Sequence, residues 1–580
     1  MKYKIAFGLL LFLLTSKAFS QNQPQTETYI INASIIDVEK QRVLTGLTVV
    51  MQGNTITSIS KVKLPDNATV IDANGKYLMP GMTDAHVHFF QSGGLYTRPD
   101  AIDLRKDYAY EKEIKWTHDN MEDQLRRYVQ NGITTVYDLG ATNNFLLQRN
   151  DFANKSYAPV IYMTGPLITS FLPDEFKDLK NDGAFNLVKT PEEAREMVRA
   201  ELPYKPDFIK IWYLADVGNK KSTEENARIF LPCVNAIIDE AHKNNLKVAV
   251  HATERITAQL AVETGADYLV HSVDDQIIDD SFIELLKKHK TVLCPTLVVE
   301  DGYENTFGQT LQFNSYEIAR SNPFQLGSLF DLKHLPDTAL IARYEKISKS
   351  IKAKTDTRDS VRMVNLKKLA DAGVTIVTGT DAGNIGTLHA TSYFNELKKM
   401  QQSGMSNWQI IQASTINGAK ILNKQNDFGS ISVGKKANMI LLNENPVTNI
   451  DNLQKIQLVI NKGVVINPDT LIHITPDALV QQQLNAYNAH NLEAFLATYS
   501  DDIQLYDFPD KQVCKGKEQM RKIFSFLNNS PNLHAEIKKR IIQGNNVIDE
   551  EVDTGVGDVS TATAVYRVEN GKIRSVYFVH

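Results

Sequence analysis

An alternation constrains this chain more than any other feature. Between about residues 80 and 424, short apolar runs of strand character alternate with helical patterns. The strand runs are 82–89, 133–139, 159–164, 208–213, 247–252, 268–272, 291–297 and 375–381. Helical stretches such as 121–131, 191–202, 225–245 and 256–265 fall between them. Strands separated by helices run parallel, and eight of them close a (β/α)8 barrel. A doubly wound open sheet is the alternative, but no glycine-rich dinucleotide fingerprint accompanies it.

Other textures flank this middle. Residues 28–79 and 425–468 read as short strands broken by Gly, Asn and Pro, and they are expected to join as one small β-sandwich domain built from both flanks. From 476 to 580 a helical stretch, a strand, a second helix and further strands make a separate α+β domain. With 580 residues the chain is long enough for all three. A segment of about 300–340, carrying Tyr303, Phe307, Phe313, Tyr316 and Phe324, is inserted between strands seven and eight. It is either a lid or a surface excursion with its own small core. Together with 89–118 it is expected to shape a pocket.

Lys2 and Lys4 precede an apolar run over 5–14, and Ala18 and Ser20 offer a small-x-small cleavage site. Residues 1–20 therefore predict a secretory signal peptide, and with it a secreted or periplasmic protein. The run is shorter than the ~20 residues of a membrane span, so no stable span is expected after cleavage; an uncleaved anchor is the alternative. The net charge of -5, without a Lys/Arg-rich block, argues against nucleic acid as a partner. Cys233, Cys294 and Cys514 are too far apart for a disulfide framework or a CxxC metal motif.

The chemistry lies where the strands end. In "DAHVH", His86 and His88 are two apart on a strand and share a face. By themselves they could be satisfied polar core. Three further strand runs end in a metal-ligand type: "KVAVHA" in His251, "YLVHS" in His271 and "TIVTGTDAG" in Asp381. The C-terminal strand ends of a barrel converge on one mouth, and imidazole with carboxylate suits zinc and similar ions. Lys210, in "FIKIWY", is a sixth member. Burial lowers the pKa of an ammonium, and a neutral amine can add carbon dioxide to give an anionic carbamate able to bridge two metals. A salt-bridged lysine and a Schiff-base lysine remain the alternatives.

Taken together, "PGMTDAHVH", "FIKIW", "VAVHA", "YLVHS" and "GTDAG" resemble the metal motifs of the amidohydrolase superfamily, in particular its imidazolonepropionase-like and prolidase-like members. The resemblance spans about 28–468, and "GSISVGKKANMILLNENP" resembles the return into the small domain. The family usually has an aspartate where this chain has Asn438, a position that is structural by resemblance. The resemblance implies a TIM barrel holding two divalent metal ions, with zinc expected. His86, His88 and Asp381 would hold one, His251 and His271 the other, and carboxylated Lys210 would bridge them. It implies hydrolysis of a C–N bond, in an amide or cyclic amide, by a metal-bridging hydroxide, with Asp381 passing the proton to the leaving group. Tyr213 either reaches the oxyanion or packs, and His389 either lines the mouth to contact substrate or sits on a helix surface. A prolidase-like dipeptidase and a lactonase or esterase are narrower alternatives. A Schiff-base lyase using Lys210 and a binding module with a vestigial site are different classes.

Residues 476–580 resemble the NTF2-like, or SnoaL-like, cone fold, with "AYNAHNLEAFLATYSDDI" as the telling stretch. That resemblance implies small-molecule binding or homo-oligomerisation through this domain. Asp507 and His534 are its polar candidates, both expected as surface or pocket-wall residues.

Overall fold

The computed structural model describes residues 27–177, 182–215, 220–555 and 559–579. The expected signal peptide over 1–20 lies outside the described residues.

Seven of the eight expected strands form as regular ladders: β1 (Met82–Val87), β2 (Ile133–Asp138), β3 (Val160–Met163), β4 (Phe208–Trp212), β5 (Lys247–His251), β6 (Tyr268–Val270) and β7 (Val292–Cys294). All pairs are parallel: β1 with β2, β2 with β3, β4 with β5, β5 with β6, and β6 with β7. The third strand position is bent. Its first half pairs with β2, while its continuation Leu167–Thr169 pairs with β4, and Asp207 N donates to Met163 O at 2.9 Å.

The eighth position, β8 (residues 375–381), is held by isolated bridges instead of a continuous ladder. On one side Leu293 N donates to Thr375 O, and Val377 N to Leu293 O, both at 2.9 Å. On the other, Ala85 N donates to Thr378 O, and Asp381 N to His86 O, both at 2.8 Å. These bonds close the ring. Asp84 reinforces the closure: its carboxylate accepts from Thr380 N at 3.1 Å and from Thr380 Oγ1 at 2.8 Å. Gly379 makes the approach possible, because a Cβ there would lie 2.5 Å from Cys294 Sγ and 2.8 Å from His86 N. The barrel interior below the mouth is packed with Tyr137, Phe208, Tyr268, Val292 and Val377.

The two flanks join edge to edge. Tyr77–Pro80 pairs with Glu27–Asp37 on one side and with Met439–Leu442 on the other, within one sheet of eight strands. Asn438 is structural there, accepting from Lys462 N at 2.7 Å while its carbonyl accepts from Gly81 N. The C-terminal domain is a six-stranded sheet, in the order Lys511–Lys515, Tyr499–Asp507, Lys572–Val579, Ser560–Glu569, Asn546–Thr554, His534–Gln543, with helix Pro476–Asn488 against it. The three cysteines are free and buried. No helix among the described residues is long and apolar enough to cross a membrane.

The insertion is larger than its sequence suggested. Helices Val299–Gly308, Ser315–Arg320 and Pro323–Ser328 lead into a 34-residue helix, Thr338–Asp371. Its apolar residues do not form a private core. Phe307, Leu326 and Tyr344 join one cluster with Leu479 and Phe495 of the C-terminal domain. At this junction His534 stacks on His334 of the insertion, with ring centroids 3.7 Å apart. Burial, with help from His334, pushes the His534 pKa down to about 3. Its ordinary value is about 6.5, so the unfolded chain binds the extra proton between those limits, and stability present above pH 6.5 is lost as pH falls toward 3. His534→Phe should therefore flatten the fall in melting temperature between pH 6.5 and 4.5 relative to the wild type, as read by differential scanning calorimetry. Identical slopes would exclude His534 as a contributor.

Candidate metal centre

Strand geometry places all six expected ligand residues on one cavity of about 470 Å³ at the C-terminal mouth of the barrel. In β4, Phe208 faces the barrel interior while Ile209 and Ile211 pack outward against helices, so Lys210 points inward. His251 ends β5 opposite Val270, and His271 follows directly, its amide donating to Cys294 O at 2.8 Å. Asp381 follows β8.

The donor atoms crowd together. His86 Nε2 and His88 Nε2 are 3.1 Å apart, and they lie 3.2 Å and 3.0 Å from Asp381 Oδ1. His86, His271 and Asp381 each present a ligand atom within 4.8 Å of the others. The rings of His251 and His271 are 4.4 Å apart between centroids. Protonation does not relieve this crowding. Burial drives His86 and His251 well below the ordinary histidine range, and His271 to about 3, so these imidazoles are neutral with lone pairs free at pH 7. Burial opposes ionisation of Asp381, yet His86 and His88 beside it hold its carboxyl well below the carboxylate range. Burial also lowers Lys210, despite Asp381 nearby, to about 7. Lys210 Nζ, His86 Nδ1 and Asp381 Oδ1 are buried without a hydrogen-bond partner. Neutral imidazoles, a carboxylate and an amine that gives up its proton near pH 7, converging on one cavity, fit divalent cations.

Supporting residues hold this geometry. His271 and Asp381 both have left-handed backbones, with φ of 75° and 61°, as does Thr296 at 47°. Non-glycine residues adopt this region at a cost of roughly 1–3 kcal/mol each, and only where their surroundings enforce it. Thr296 Oγ1 contacts His271 Nδ1 at 2.5 Å, which fixes the ring. Asn384 Nδ2 donates to Asp381 O at 3.0 Å, while Asn384 Oδ1 accepts from Arg98 and, at 2.8 Å, from Tyr303. Asp138 accepts from Phe89 N at 2.9 Å and lies 4.0 Å from His88 Nδ1. Sequence reading missed all of these. Asp138 carried a usable signal, because "TTVYD" is another apolar strand ending in a carboxylate. Arg98 and Tyr303 fell within the stretches 89–118 and 300–340 expected to shape a pocket, without an assigned role, and Thr296 carried no signal of its own.

The cavity walls come from both expected loops and from further along the insertion. Phe90, Arg98 and Ala101 follow β1, Glu300 and Tyr303 begin the insertion, and Ile351, Thr355, Arg358 and Arg362 form one face of helix Thr338–Asp371. Arg362 pairs with Glu300 at 2.6 Å.

Two expected site residues lie elsewhere. Tyr213 is absent from the cavity wall: its hydroxyl donates to Ala227 O at 2.6 Å and its ring packs on Phe230. Three residues beyond Lys210, it faces the opposite side of the strand. His389 neither lines the mouth nor sits on a surface. It is buried and stacked on Phe89, with its ring nitrogens engaged by Gln91 O at 2.8 Å and Tyr128 Oη at 2.9 Å. In the C-terminal domain, Asp507 pairs with Lys511 at 2.9 Å and His534 lies at the junction described above.

Residues 77–466 match the profile of the Amidohydrolase family, and residues 480–576 that of the SnoaL-like domain. A dihydroorotase of Bacillus subtilis (strain 168) is 55% identical over 42 residues, a match spanning 7% of this chain and only 10% of that protein. An imidazolonepropionase of Geobacillus sp. (strain WCH70) is 22% identical over 411 residues, covering 64% of this chain and 76% of the relative. The crystal structure of a Xaa-Pro dipeptidase with bound methionine is similar in fold at a TM-score of 0.58 and 23% identity, covering 76% of this chain and 100% of that one.

Tyr213→Phe should leave hydrolytic turnover within about twofold and cost about 1 kcal/mol of stability in urea unfolding, the usual worth of one buried hydroxyl bond. A loss of turnover beyond tenfold at unchanged stability would return Tyr213 to the site.

Proposed function

The chain belongs to the amidohydrolase family, and on that footing we propose that it hydrolyses the C–N bond of a small amide or cyclic amide, using two divalent metal ions, zinc by preference. The observation that carries this reading is the convergence of six donor residues on one cavity, with the buried Lys210 Nζ among them and unpartnered. Cations held there would polarise the scissile carbonyl and acidify the attacking water.

The chain's own groups supply the rest. His86, His88 and Asp381 form one set of donors; His251 and His271 form the other. The amine of Lys210, once deprotonated, would add to carbon dioxide, forming an N–C bond and releasing one proton, and the resulting carbamate would serve as a further anionic ligand for the metals. Asp381 accepts the proton of the attacking water and returns it to the departing nitrogen, and Asn384 holds its backbone in place. Trp212, Phe185 and Ile351 give the cavity an apolar wall, and Lys354 and Arg358 place cations at its edge. These walls favour an apolar acyl group next to an anionic end, as in an N-acyl amino acid or a dipeptide. The crowding of imidazoles and Asp381 against Lys210 favours metal hydrolysis over a Schiff-base lyase. The signal-peptide pattern over 1–20 supports action outside the cytoplasm.

Purified protein loaded with zinc and bicarbonate should carry close to two ions per chain by elemental analysis, and it should turn over some member of a panel of N-acyl amino acids, dipeptides, lactams and lactones. No more than one ion after loading would overturn the paired site. Lys210→Ala should fold, lose activity, and regain part of it with acetate or propionate, because a short carboxylate can replace the bridging oxygens. Rescue by small amines would instead indicate an amine nucleophile.

A further inference from the structure

The C-terminal domain was expected to be an appended module for dimerisation or ligand capture. Its packing shows a closer tie to the mouth of the barrel. One continuous apolar cluster contains Leu104 from the loop after β1, Phe307 and Tyr344 from the insertion, Ile385 from the segment after β8, and Leu479 and Phe495 from the C-terminal domain. Each of the four non-domain stretches just named also carries cavity wall. Ala101 is three residues before Leu104. Tyr303 is one helical turn before Phe307, Ile351 follows Tyr344 on the same helix, and Asn384 immediately precedes Ile385.

Polar contacts run the same way. Asn485 Nδ2 of the C-terminal domain donates to Pro323 O of the insertion at 2.7 Å. Ser328 Oγ, one turn beyond Pro323, accepts from Leu95 N of the loop after β1 at 3.1 Å. Tyr344 Oη donates to Ala101 O at 2.9 Å. At the centre, Gly327 lets two helices meet: a Cβ there would lie 2.6 Å from Gln481 Nε2 and 2.8 Å from Asn485 Oδ1. Helix Pro323–Ser328 therefore lies between the domain and the loop after β1 that carries Arg98 and Ala101, touching both.

We propose that the C-terminal domain is a positioning element of the active site, holding the insertion and the loop after β1 so that their inner faces form the substrate wall. Gly327 and Asn485 act through the wall and touch no reacting atom. The inference rests on the hydrolase reading only for what the wall receives; the packing itself does not depend on it.

The test uses the full-length, metal-loaded protein. Gly327→Leu should separate the domain from helix Pro323–Ser328. Metal content should stay unchanged. Amide hydrogen exchange should rise about tenfold across Val299–Gly308 and Thr338–Asp371, as expected when a supported segment opens locally. For the best amide of the panel above, KM should rise about tenfold with kcat changed far less, since wall misplacement of this order weakens binding. Asn485→Ala removes the Pro323 bond without adding bulk, and should move the same readouts in the same direction, covering the case in which Gly327→Leu fails to fold. Ile542→Thr, at an exposed position of the same domain, should move none of them. Exchange changes confined to the C-terminal domain and helix Pro323–Ser328, with KM within twofold, would overturn the proposal and leave the domain an appended module. If no amide of the panel is cleaved, the exchange and metal measurements still decide the inference, so its failure and that of the hydrolase reading are separable.

Discussion

The structure depends on how its ring of strands closes. Residues 375–381 reach β1 through Ala85 N to Thr378 O and Asp381 N to His86 O, in a segment too irregular to form a ladder. That closure brings Asp381 within about one hydrogen-bond length of His86 and His88. A more regular strand would gain backbone bonds but keep its side chains in strict alternation. The irregular segment frees Asp381 to turn into the left-handed region and aim its carboxylate at the mouth. Asp84, buried at the same seam, satisfies the Thr380 amide and hydroxyl that the irregularity leaves over. The site and the fold thus meet at one seam, where the Asp84 carboxylate that reinforces the barrel is bonded to Thr380, one residue from the Asp381 carboxylate at the mouth.

Much of this was legible because barrels convert a local pattern into a global one. A strand that ends in His or Asp says little by itself; parallel closure brings several such ends to one mouth, so His86, His88, Lys210, His251, His271 and Asp381 meet on one cavity. What failed was the reading of single residues outside that pattern. Tyr213 sits three positions after Lys210, and an odd spacing on a strand already places it on the other side, toward Ala227. His389 lies beyond the strand, where period gives no orientation, and its nitrogens are taken up by donating to Gln91 O and accepting from the Tyr128 hydroxyl. The supporting groups Thr296, Asn384 and Arg98 were invisible for a related reason. They act through loop conformations, and loop geometry is set by contacts distant in sequence.

The insertion shows the same limit on a larger scale. Its aromatic residues pointed equally to a lid and to a satellite core; in the structure one face lines the cavity, and the other joins a core shared with the C-terminal domain instead of forming one of its own. Tyr303 and Ile351 face the cavity, while Phe307 and Tyr344 face an apolar cluster shared with the C-terminal domain. A 34-residue helix exposed on both sides would be poorly stabilised by propensity alone. Packing against a second domain supplies the missing burial, which ties a substrate wall to a domain more than 100 residues away.

Strain and support are therefore distributed consistently. Three of the left-handed backbones lie at the mouth, in His271, Thr296 and Asp381, where ligand direction matters more than backbone ease. The compensating interactions lie just outside it. Glu396, fully buried, accepts from Leu297 N at 2.7 Å and Val298 N at 3.1 Å, fixing the chain as it leaves Thr296 for the insertion. Asn384 fixes it as it leaves Asp381. Both anchors stand where a barrel strand hands over to a segment that also packs on the C-terminal cluster: Val299–Gly308 after Glu396's contacts, Ile385 after Asn384. A distortion arriving from the outer domain would meet these two anchors before it reached a ligand. That arrangement separates the outer wall, which the domain contacts, from the donor residues at the mouth, which the anchors hold.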